Sequence, residues 1–185
     1  MSADASEQGE VRVIVVMGVS GSGKSTIASM LAHRLGWIYE DGDWFHPKSN
    51  IEKMHHGEPL NDADRWPWLR AIAAWIDDTV KAGGHGVVAC SALKRAYRDI
   101  LIGQRCAVRL VLLKGPKELI AQRVATRNDH FMPTSLLDSQ FAALEAPAAE
   151  ERPVVVSIAP HPREIVEEIV NKFGLNERAA AAPSS

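Results

Sequence analysis

A glycine-rich segment at residues 18–26 constrains the fold of this chain more than any other feature. It reads Gly-Val-Ser-Gly-Ser-Gly-Lys-Ser-Thr and matches the phosphate-binding pattern G-x-x-x-x-G-K-[ST]. Residues 11–17, all apolar except Arg12, precede it with the composition of a buried strand, and apolar residues recur at helical spacing from Ile27 to Leu35. Because the amides at a helix N-terminus attract anions, this strand, loop and helix predict a phosphate-binding site.

The residues of this loop have roles that follow from the expected geometry. We expect Lys24 to reach the β- and γ-phosphates of a nucleotide, and the Ser25 hydroxyl to ligate Mg²⁺. Glycine in such a loop permits backbone angles and close approaches that a side chain would block. The predicted nucleotide-binding residues of the loop are Gly18, Val19, Ser20, Gly21, Ser22, Gly23, Lys24, Ser25 and Thr26.

Strand-like and helix-like segments alternate along the rest of the chain. The segments that read as strands are short and apolar, with helical segments between them, and lie at residues 11–17, 37–39, 86–91, 107–113 and 153–158. This alternation predicts an α/β fold with three α/β/α layers, in which helices cover both faces of a five-stranded parallel sheet. Ligands then bind beyond the carboxyl ends of the strands.

Length and composition set the limits of this interpretation. A chain of 185 residues suits one domain, which we expect at residues 11–175, between a flexible N-terminus (1–10) and a disordered tail (176–185). The charge of the chain limits its possible partners. A formal net charge of −2 gives no reason to expect nucleic acid or a membrane as a partner. Residues 1–10 are polar and acidic, without the basic and apolar regions that a signal peptide has, and no apolar run is long enough to span a bilayer. We therefore expect a cytoplasmic protein. Cys90 and Cys106 are expected to be buried free thiols.

Two carboxylates follow the second predicted strand, in the segment Glu-Asp-Gly-Asp-Trp-Phe-His-Pro at residues 40–47. This position places Asp43 where an acceptor hydroxyl would meet the γ-phosphate, and a carboxylate there can accept or orient the hydroxyl proton. For Asp41 two interpretations remain open, a functional role and an Asx-type turn, which is common for Asp-Gly sequences.

The polar segment before Pro67 predicts the start of a long helix that runs to about Ala82. Asp62 or Asp64 is expected to cap this helix. Arg65 lies just before it, and a guanidinium in that place suits an acceptor that carries a carboxylate, through paired hydrogen bonds. The residues alone leave this role of Arg65 open.

The third predicted strand ends in Cys-Ser-Ala-Leu-Lys-Arg-Ala-Tyr-Arg, at residues 90–98. Many phosphate-loop proteins have an aspartate at this strand end to support Mg²⁺, whereas the polar residue here is Ser91. Lys94, Arg95 and Arg98 form a cationic cluster close to the predicted site. A solvated helix face is the alternative, and it suits Arg95 as well as a role in the site does.

Arg123 and Arg127 lie four residues apart and therefore point from the same face of a helix. We expect a lid around residues 123–140 that carries both arginines over the phosphates. Such a segment would neutralise the charge that develops in phosphoryl transfer and would exclude water as a competing acceptor. The alternative is a surface helix held by salt bridges.

Several motifs together resemble the gluconokinases, across roughly residues 11–173. Many kinases share the phosphate loop, but the motifs Asp-Gly-Asp-x-x-His-Pro (41–47) and Cys-Ser-Ala-Leu-Lys (90–94) are more specific. Asn-Ile-Glu-Lys-Met (50–54) and Gly-Glu-Pro-Leu-Asn-Asp (57–62) belong to the same resemblance. So do the Arg-x-x-x-Arg helix, the pair His130-Phe131 and the motif Gln-Phe-x-x-Leu-Glu-x-Pro (140–147).

The resemblance implies a nucleoside-monophosphate-kinase-like fold with a lid. It implies transfer of the γ-phosphoryl group of ATP, with Mg²⁺, to the 6-hydroxyl of D-gluconate, which gives 6-phospho-D-gluconate and ADP. It also suggests a cytoplasmic homodimer.

The resemblance further implies roles for single residues. Lys24, Asp43 and Arg127 would be catalytic, and Asp43 would bind and activate the acceptor. Arg123 would pack on the nucleotide and Arg127 would contact its phosphates. The side chains that would hold the hydroxy acid together with Asp43 are His46, Arg65, Lys94 and Arg98.

Two other functions are compatible with parts of this sequence pattern. A shikimate-type or nucleotide kinase would use the same scaffold, although the acceptor-side motifs argue against it. A GTPase-type switch would need an Asn-Lys-x-Asp motif, which the segment Asn-Lys-Phe-Gly at residues 171–174 does not supply. The chain also contains no Asp-x-x-Gly motif.

Overall fold

A five-stranded parallel sheet organises the structure, a computed structural model that describes residues 9–126 and 134–176. Its strands are β1 (Val13–Met17), β2 (Ile38–Asp41), β3 (Gly86–Ala89), β4 (Val108–Lys114) and β5 (Val154–Ser157). Their order across the sheet is β2-β3-β1-β4-β5, and every neighbouring pair is parallel. The predicted fold class is confirmed.

Helices cover both faces of this sheet. They are α1 (Lys24–Leu35), α2 (Lys48–His55), α3 (Asp62–Lys81), α4 (Arg95–Leu101), α5 (Lys117–Ala125), α6 (Thr134–Ala143) and α7 (Pro162–Lys172). Side chains of the central strand β1 alternate between two apolar cores. Ile14 and Val16 belong to the core that includes residues of α1 and α7, whereas Val13 and Val15 belong to the core that includes residues of α3 and α4. Because both faces of β1 are buried, its sequence is continuously apolar.

The long helix α3 begins at Asp62, five residues before the start predicted at Pro67. Its N-cap is Asn61, whose side-chain oxygen accepts the amide of Asp64 at 2.9 Å, and the Asp64 carboxylate accepts the amide of Asn61 at 3.0 Å. This reciprocal capping box satisfies amides at the helix N-terminus. Pro67 therefore lies inside α3, near its N-terminus. The expected cap at Asp62 or Asp64 is corrected to Asn61, with Asp64 as its partner.

The two cysteines differ in environment. Cys90 is buried, and burial raises the pKa of its thiol to about 12. Cys106 is exposed, so the prediction that both thiols are buried is wrong for Cys106. This residue lies in the turn between α4 and β4 and not within the apolar strand itself.

Several sequence predictions concern residues outside the described ranges. Residues 1–8 and 177–185 of the predicted termini, and residues 127–133 of the predicted lid, lie outside them. The predicted domain limits stay predictions. Within residues 9–126 and 134–176, no helix combines the length and apolar character needed to cross a bilayer.

The capping box of α3 leads to a prediction about the stability of the protein. Replacing Asn61→Ala removes the side-chain acceptor for the Asp64 amide, and we expect the free energy of unfolding to fall by about 1 kcal/mol in urea denaturation. Asn61→Ser keeps an acceptor oxygen at the N-cap and serves as the control, with a smaller loss. An equal loss in both variants would argue against capping as the source of the effect.

Candidate active site

The phosphate loop joins the end of β1 to the N-terminus of α1. Gly23 is the N-cap of α1 and has no side chain, so the first amides of this helix lack a side-chain cap. Gly21 has φ +83°, and a Cβ added there would lie 2.5 Å from Val124 Cγ2 on α5. The loop backbone is thus held close beneath α5, with the amides of the α1 N-terminus available for an anion.

Two polar side chains of the loop have little contact with solvent: Ser22 is buried and Lys24 is half-buried. The Lys24 ammonium donates to the carbonyl oxygen of Val19 at 3.1 Å. Burial lowers the pKa of Lys24, while the nearby Asp43 and Asp41 carboxylates oppose that shift. The Ser22 hydroxyl is buried and has no hydrogen-bond partner among the described residues. Both side chains suit a loop that closes around an anionic ligand.

Asp41 adds a carboxylate to the loop. Its Oδ2 accepts the Ser25 hydroxyl at 2.8 Å and the Tyr39 hydroxyl at 3.1 Å, and its Oδ1 accepts the Asp43 amide at 3.0 Å. The last bond caps a 3₁₀ turn at Gly42–Phe45. Both interpretations of Asp41 therefore have a structural basis, since it forms a turn and also contacts the predicted metal ligand Ser25. Hydroxyl and carboxylate oxygens are the donors that Mg²⁺ prefers.

The predicted acceptor side of the site begins at the 3₁₀ turn Gly42–Phe45. Asp43 is 85% exposed, whereas the His46 side chain is 7% exposed and stacks on Trp68, with ring centroids 4.3 Å apart. His46 Nε2 lies 4.0 Å from Asp43 Oδ1. Burial lowers the pKa of His46, and Arg65 lowers it further against the opposing effect of Asp43.

One cleft connects these groups. It has a volume of about 510 Å³, and its walls include Lys24 and Ser25 from the phosphate loop and Asp43, His46 and Arg65 from the acceptor side. The structure therefore brings together predicted residues from both sides of the reaction. A carboxylate, a glycine-rich loop at a helix N-terminus and a guanidinium in one cleft suit phosphoryl transfer to an anionic acceptor.

Lys94 lies next to this cleft in a cluster around Asp62. Its ammonium is 3.2 Å from Asp62 Oδ1, and the Tyr97 hydroxyl donates to the same oxygen at 2.5 Å. Arg65 Nη1 lies 3.4 Å from the Tyr97 hydroxyl and 3.8 Å from Asp62 Oδ1. The hydrogen bonds from Tyr97 and Lys94 lower the pKa of Asp62. Lys94 and Arg65 are thus held as neighbours, with Lys94 outside the cleft wall.

Arg98 has a different environment from the one its predicted acceptor role requires. It is 1% exposed, and its guanidinium pairs with Glu151, with Nε 2.5 Å from Oε2. Its Nη1 donates to the carbonyl oxygens of Ala92 and Leu93, at 3.1 and 3.0 Å. Ala92 has a positive φ of 46°, which is strained for a residue with a Cβ. We therefore correct the predicted acceptor contact of Arg98 to a proposed role in holding the loop before Lys94.

Of the two arginines in the predicted lid, the structure describes Arg123 but not Arg127. Arg123 Nη2 donates to the carbonyl oxygen of Ile158 at 2.7 Å, just after β5, and its packing on the nucleotide stays a prediction. Arg127 lies outside the described residues. Gln140 has no predicted site role, yet its side-chain oxygen accepts the Ser20 amide of the phosphate loop at 3.2 Å. The sequence signal that could have identified Gln140 is the motif Gln-Phe-x-x-Leu-Glu-x-Pro at residues 140–147.

The buried position of Arg98 leads to a second prediction about stability. Arg98→Met removes the nearer and more buried of the two cationic partners of Glu151, so we expect the free energy of unfolding to fall by about 3 kcal/mol in urea denaturation. Arg95→Met is the comparison variant on the same helix. Arg95 is 41% exposed, pairs with the exposed Asp99 and Glu150 and lies 3.5 Å from Glu151 Oε1, so its loss should lower stability less. Unchanged stability of Arg98→Met with weakened acceptor binding would restore the predicted contact.

Comparisons with known proteins identify the family of this chain. A family model described as an AAA domain matches residues 13–147. The gluconokinase of Gluconobacter oxydans (strain 621H) is 48% identical over 162 residues, which cover 88% of this chain and 91% of that protein. The crystal structure of a gluconokinase from Sinorhizobium meliloti 1021 has a TM-score of 0.78 at 43% identity and covers 91% of this chain and 95% of that chain. An unliganded sugar kinase from Janibacter sp. HTCC2649 has a TM-score of 0.83 at 43% identity, covering 91% and 97%. By sequence and by structure, the chain belongs to the gluconokinase family.

Proposed function

We propose that this protein transfers the γ-phosphoryl group of ATP to the 6-hydroxyl of D-gluconate, giving 6-phospho-D-gluconate and ADP. The observation that supports it best is the single cleft lined by Lys24 of the phosphate loop, the Asp43 carboxylate and the Arg65 guanidinium. D-gluconate combines a reactive hydroxyl with a carboxylate, so it needs both a proton acceptor and a cation. Membership of the gluconokinase family gives this acceptor precedence over the alternative, a shikimate-type or nucleotide kinase.

The nucleotide binds on the phosphate-loop side of the cleft. The loop amides and the Lys24 ammonium hold its phosphates, and the charge of these phosphates favours the ammonium form that burial disfavours. Arg123 packs on the nucleotide, and Arg127 contacts its phosphates in this proposal. These groups stabilise charge that develops during transfer and exclude water.

Ser25 and Asp41 would hold Mg²⁺ together with the nucleotide. Their oxygens lie 2.8 Å apart, and the ion usually binds through few protein groups plus phosphate oxygens. When bound, Mg²⁺ neutralises charge on the β- and γ-phosphates. Asp41 thus takes the role of the aspartate that is absent after the third strand.

The acceptor binds with its 6-hydroxyl at Asp43 and its carboxylate towards Arg65 and Lys94. Asp43 accepts or orients the hydroxyl proton as the oxygen attacks the γ-phosphorus in line. The new oxygen–phosphorus bond forms as the bond to the bridging oxygen of ADP breaks, and no covalent enzyme intermediate is needed. Positioning supplies much of the rate enhancement. We also propose a cytoplasmic homodimer, in keeping with the family resemblance.

Asp43 gives the sharpest test of the acceptor side. Asp43→Asn keeps the shape but removes the proton acceptor, so we expect kcat with D-gluconate to fall by about 10²- to 10⁴-fold while the affinity for ATP changes little. Lys24→Ala is the contrasting variant. It removes a phosphate contact, so we expect both kcat and the affinity for ATP to fall.

Steady-state kinetics and ATP titration of both variants make this test. Weakened ATP binding in Asp43→Asn with unchanged kcat would place Asp43 on the nucleotide side. Near-normal turnover of Lys24→Ala would contradict the phosphate-loop assignment.

A further inference from the structure

The motif Asn-Ile-Glu-Lys-Met at residues 50–54 lies in α2 and has no role in the mechanism above. We propose that its buried Asn50 is a positioning residue that holds His46 with its proton on Nε2. His46 then donates a hydrogen bond to a hydroxyl of the acceptor beside Asp43. The acceptor part of this proposal rests on the proposed function, whereas the tautomer of His46 does not.

The contacts of Asn50 determine which way its amide faces. Asn50 is 2% exposed, and its Nδ2 donates to the backbone carbonyl oxygen of Asp64 at 2.9 Å. A carbonyl oxygen can only accept, so the nitrogen of the Asn50 amide, and not its oxygen, must lie on this side. The amide oxygen is thereby directed away from the Asp64 carbonyl.

The same nitrogen faces the His46 ring. Asn50 Nδ2 lies 3.3 Å from His46 Nδ1, so its second hydrogen is available for that ring nitrogen. To accept it, Nδ1 must carry a lone pair, and the single proton of the neutral imidazole must then be on Nε2. Asn50 therefore selects one tautomer of His46 through a bond on the far side from Asp43.

The orientation of the ring is fixed independently. His46 stacks on Trp68 with 14° between the ring planes, and Trp68 Nε1 donates to the carbonyl oxygen of Gly42 at 2.7 Å. Gly42 opens the turn that carries Asp43, so ring and carboxylate share one support. His46 Nε2 lies 4.0 Å from Asp43 Oδ1, which is too long for a direct hydrogen bond. The Nε2 hydrogen is thus free for a ligand oxygen in the cleft that both residues line.

A second residue of the motif supports this arrangement. Lys53 Nζ lies 2.9 Å from both carboxylate oxygens of Asp64, the residue whose carbonyl oxygen orients Asn50. Asp64 also belongs to the capping box of α3 and directly precedes Arg65. Asn50 and Lys53 therefore join α2 to the start of α3 and position acceptor-side groups on both elements.

This arrangement gives His46 a different task from Arg65. A neutral imidazole with its proton on Nε2 offers one donor and no positive charge, which suits a hydroxyl oxygen. The guanidinium of Arg65 offers the charge that a carboxylate requires. The acceptor that fits both is a hydroxy acid with a further hydroxyl near its reacting end.

The tautomer can be measured without any substrate. We would record the ¹⁵N resonances and proton couplings of the His46 ring by NMR, assigned with His46→Gln. We expect a proton on Nε2 and a bare Nδ1 in the unmodified protein. In Asn50→Asp the new carboxylate accepts from Nδ1, so the proton should move to that nitrogen. Ser49→Asp, an exposed neighbour on α2, adds the same charge and should leave the tautomer unchanged.

Kinetics then test the acceptor contact. We expect Asn50→Asp to raise KM for D-gluconate about five- to tenfold with little change in KM for ATP, since one neutral hydrogen bond is lost. His46→Gln keeps a donor near the place of Nε2 and should retain more activity than His46→Asn, whose amide reaches only the place of Nδ1. Thermal melting of every variant identifies losses that come from unfolding.

Each outcome decides one part of the proposal. A proton on Nδ1 in the unmodified protein would overturn the role of Asn50. The expected tautomer with equal activity of His46→Gln and His46→Asn would overturn the acceptor contact. Failure of every variant and of the unmodified protein to use D-gluconate would instead contradict the proposed function, while the tautomer result would still stand.

Discussion

The candidate site depends on one constraint of the sheet. The neighbouring strands β2, β3 and β1 all end at about the same level. Ala89 at the end of β3 pairs with Asp41 of β2 on one side and with Val16 of β1 on the other. The phosphate loop leaves β1 just beyond this level, and the turn that carries Asp43 leaves β2 there. The parallel register, with a fully buried β1 near its centre, therefore brings an anion site and a carboxylate into one cleft.

The positive charges near this cleft divide into two groups with different tasks. Arg98 is paired with Glu151, more than fifty residues later, and Lys53 is paired with Asp64, which joins α2 to the start of α3. They maintain the framework on which the site is built. Lys24 instead donates to a neutral carbonyl oxygen, and its charge remains available for phosphate. Burial disfavours the ammonium form of Lys24, and the nearby Asp41 and Asp43 carboxylates oppose this effect only in part. The negative charge of bound phosphates would therefore stabilise this ammonium further.

Features encoded within a few residues could be predicted from the sequence, and features that join distant segments could not. The phosphate loop, the strand pattern and the turn at Asp43 are local, and the structure contains each of them. The partner of Arg98 lies more than fifty residues later, in a segment with no motif, so its burial had no local signal. The bond between Asp41 and Ser25 depends on how β2 lies in the sheet. The cap at Asn61 was missed because Pro67 is also a common first residue of helices.

Release of ADP with Mg²⁺–ATP and different acceptors tests the central claim most directly. D-gluconate, shikimate, a panel of nucleoside monophosphates and a sample without acceptor would be compared at equal concentrations. We predict strong stimulation by D-gluconate alone, because the chain belongs to the gluconokinase family and this acceptor offers a hydroxyl to Asp43, a further hydroxyl to His46 and a carboxylate to Arg65. Shikimate carries the same kinds of group on a ring, so it tests whether their arrangement in D-gluconate is what the cleft selects. Stimulation by another acceptor and not by D-gluconate would contradict the proposed substrate, and would leave the phosphoryl-transfer site itself intact.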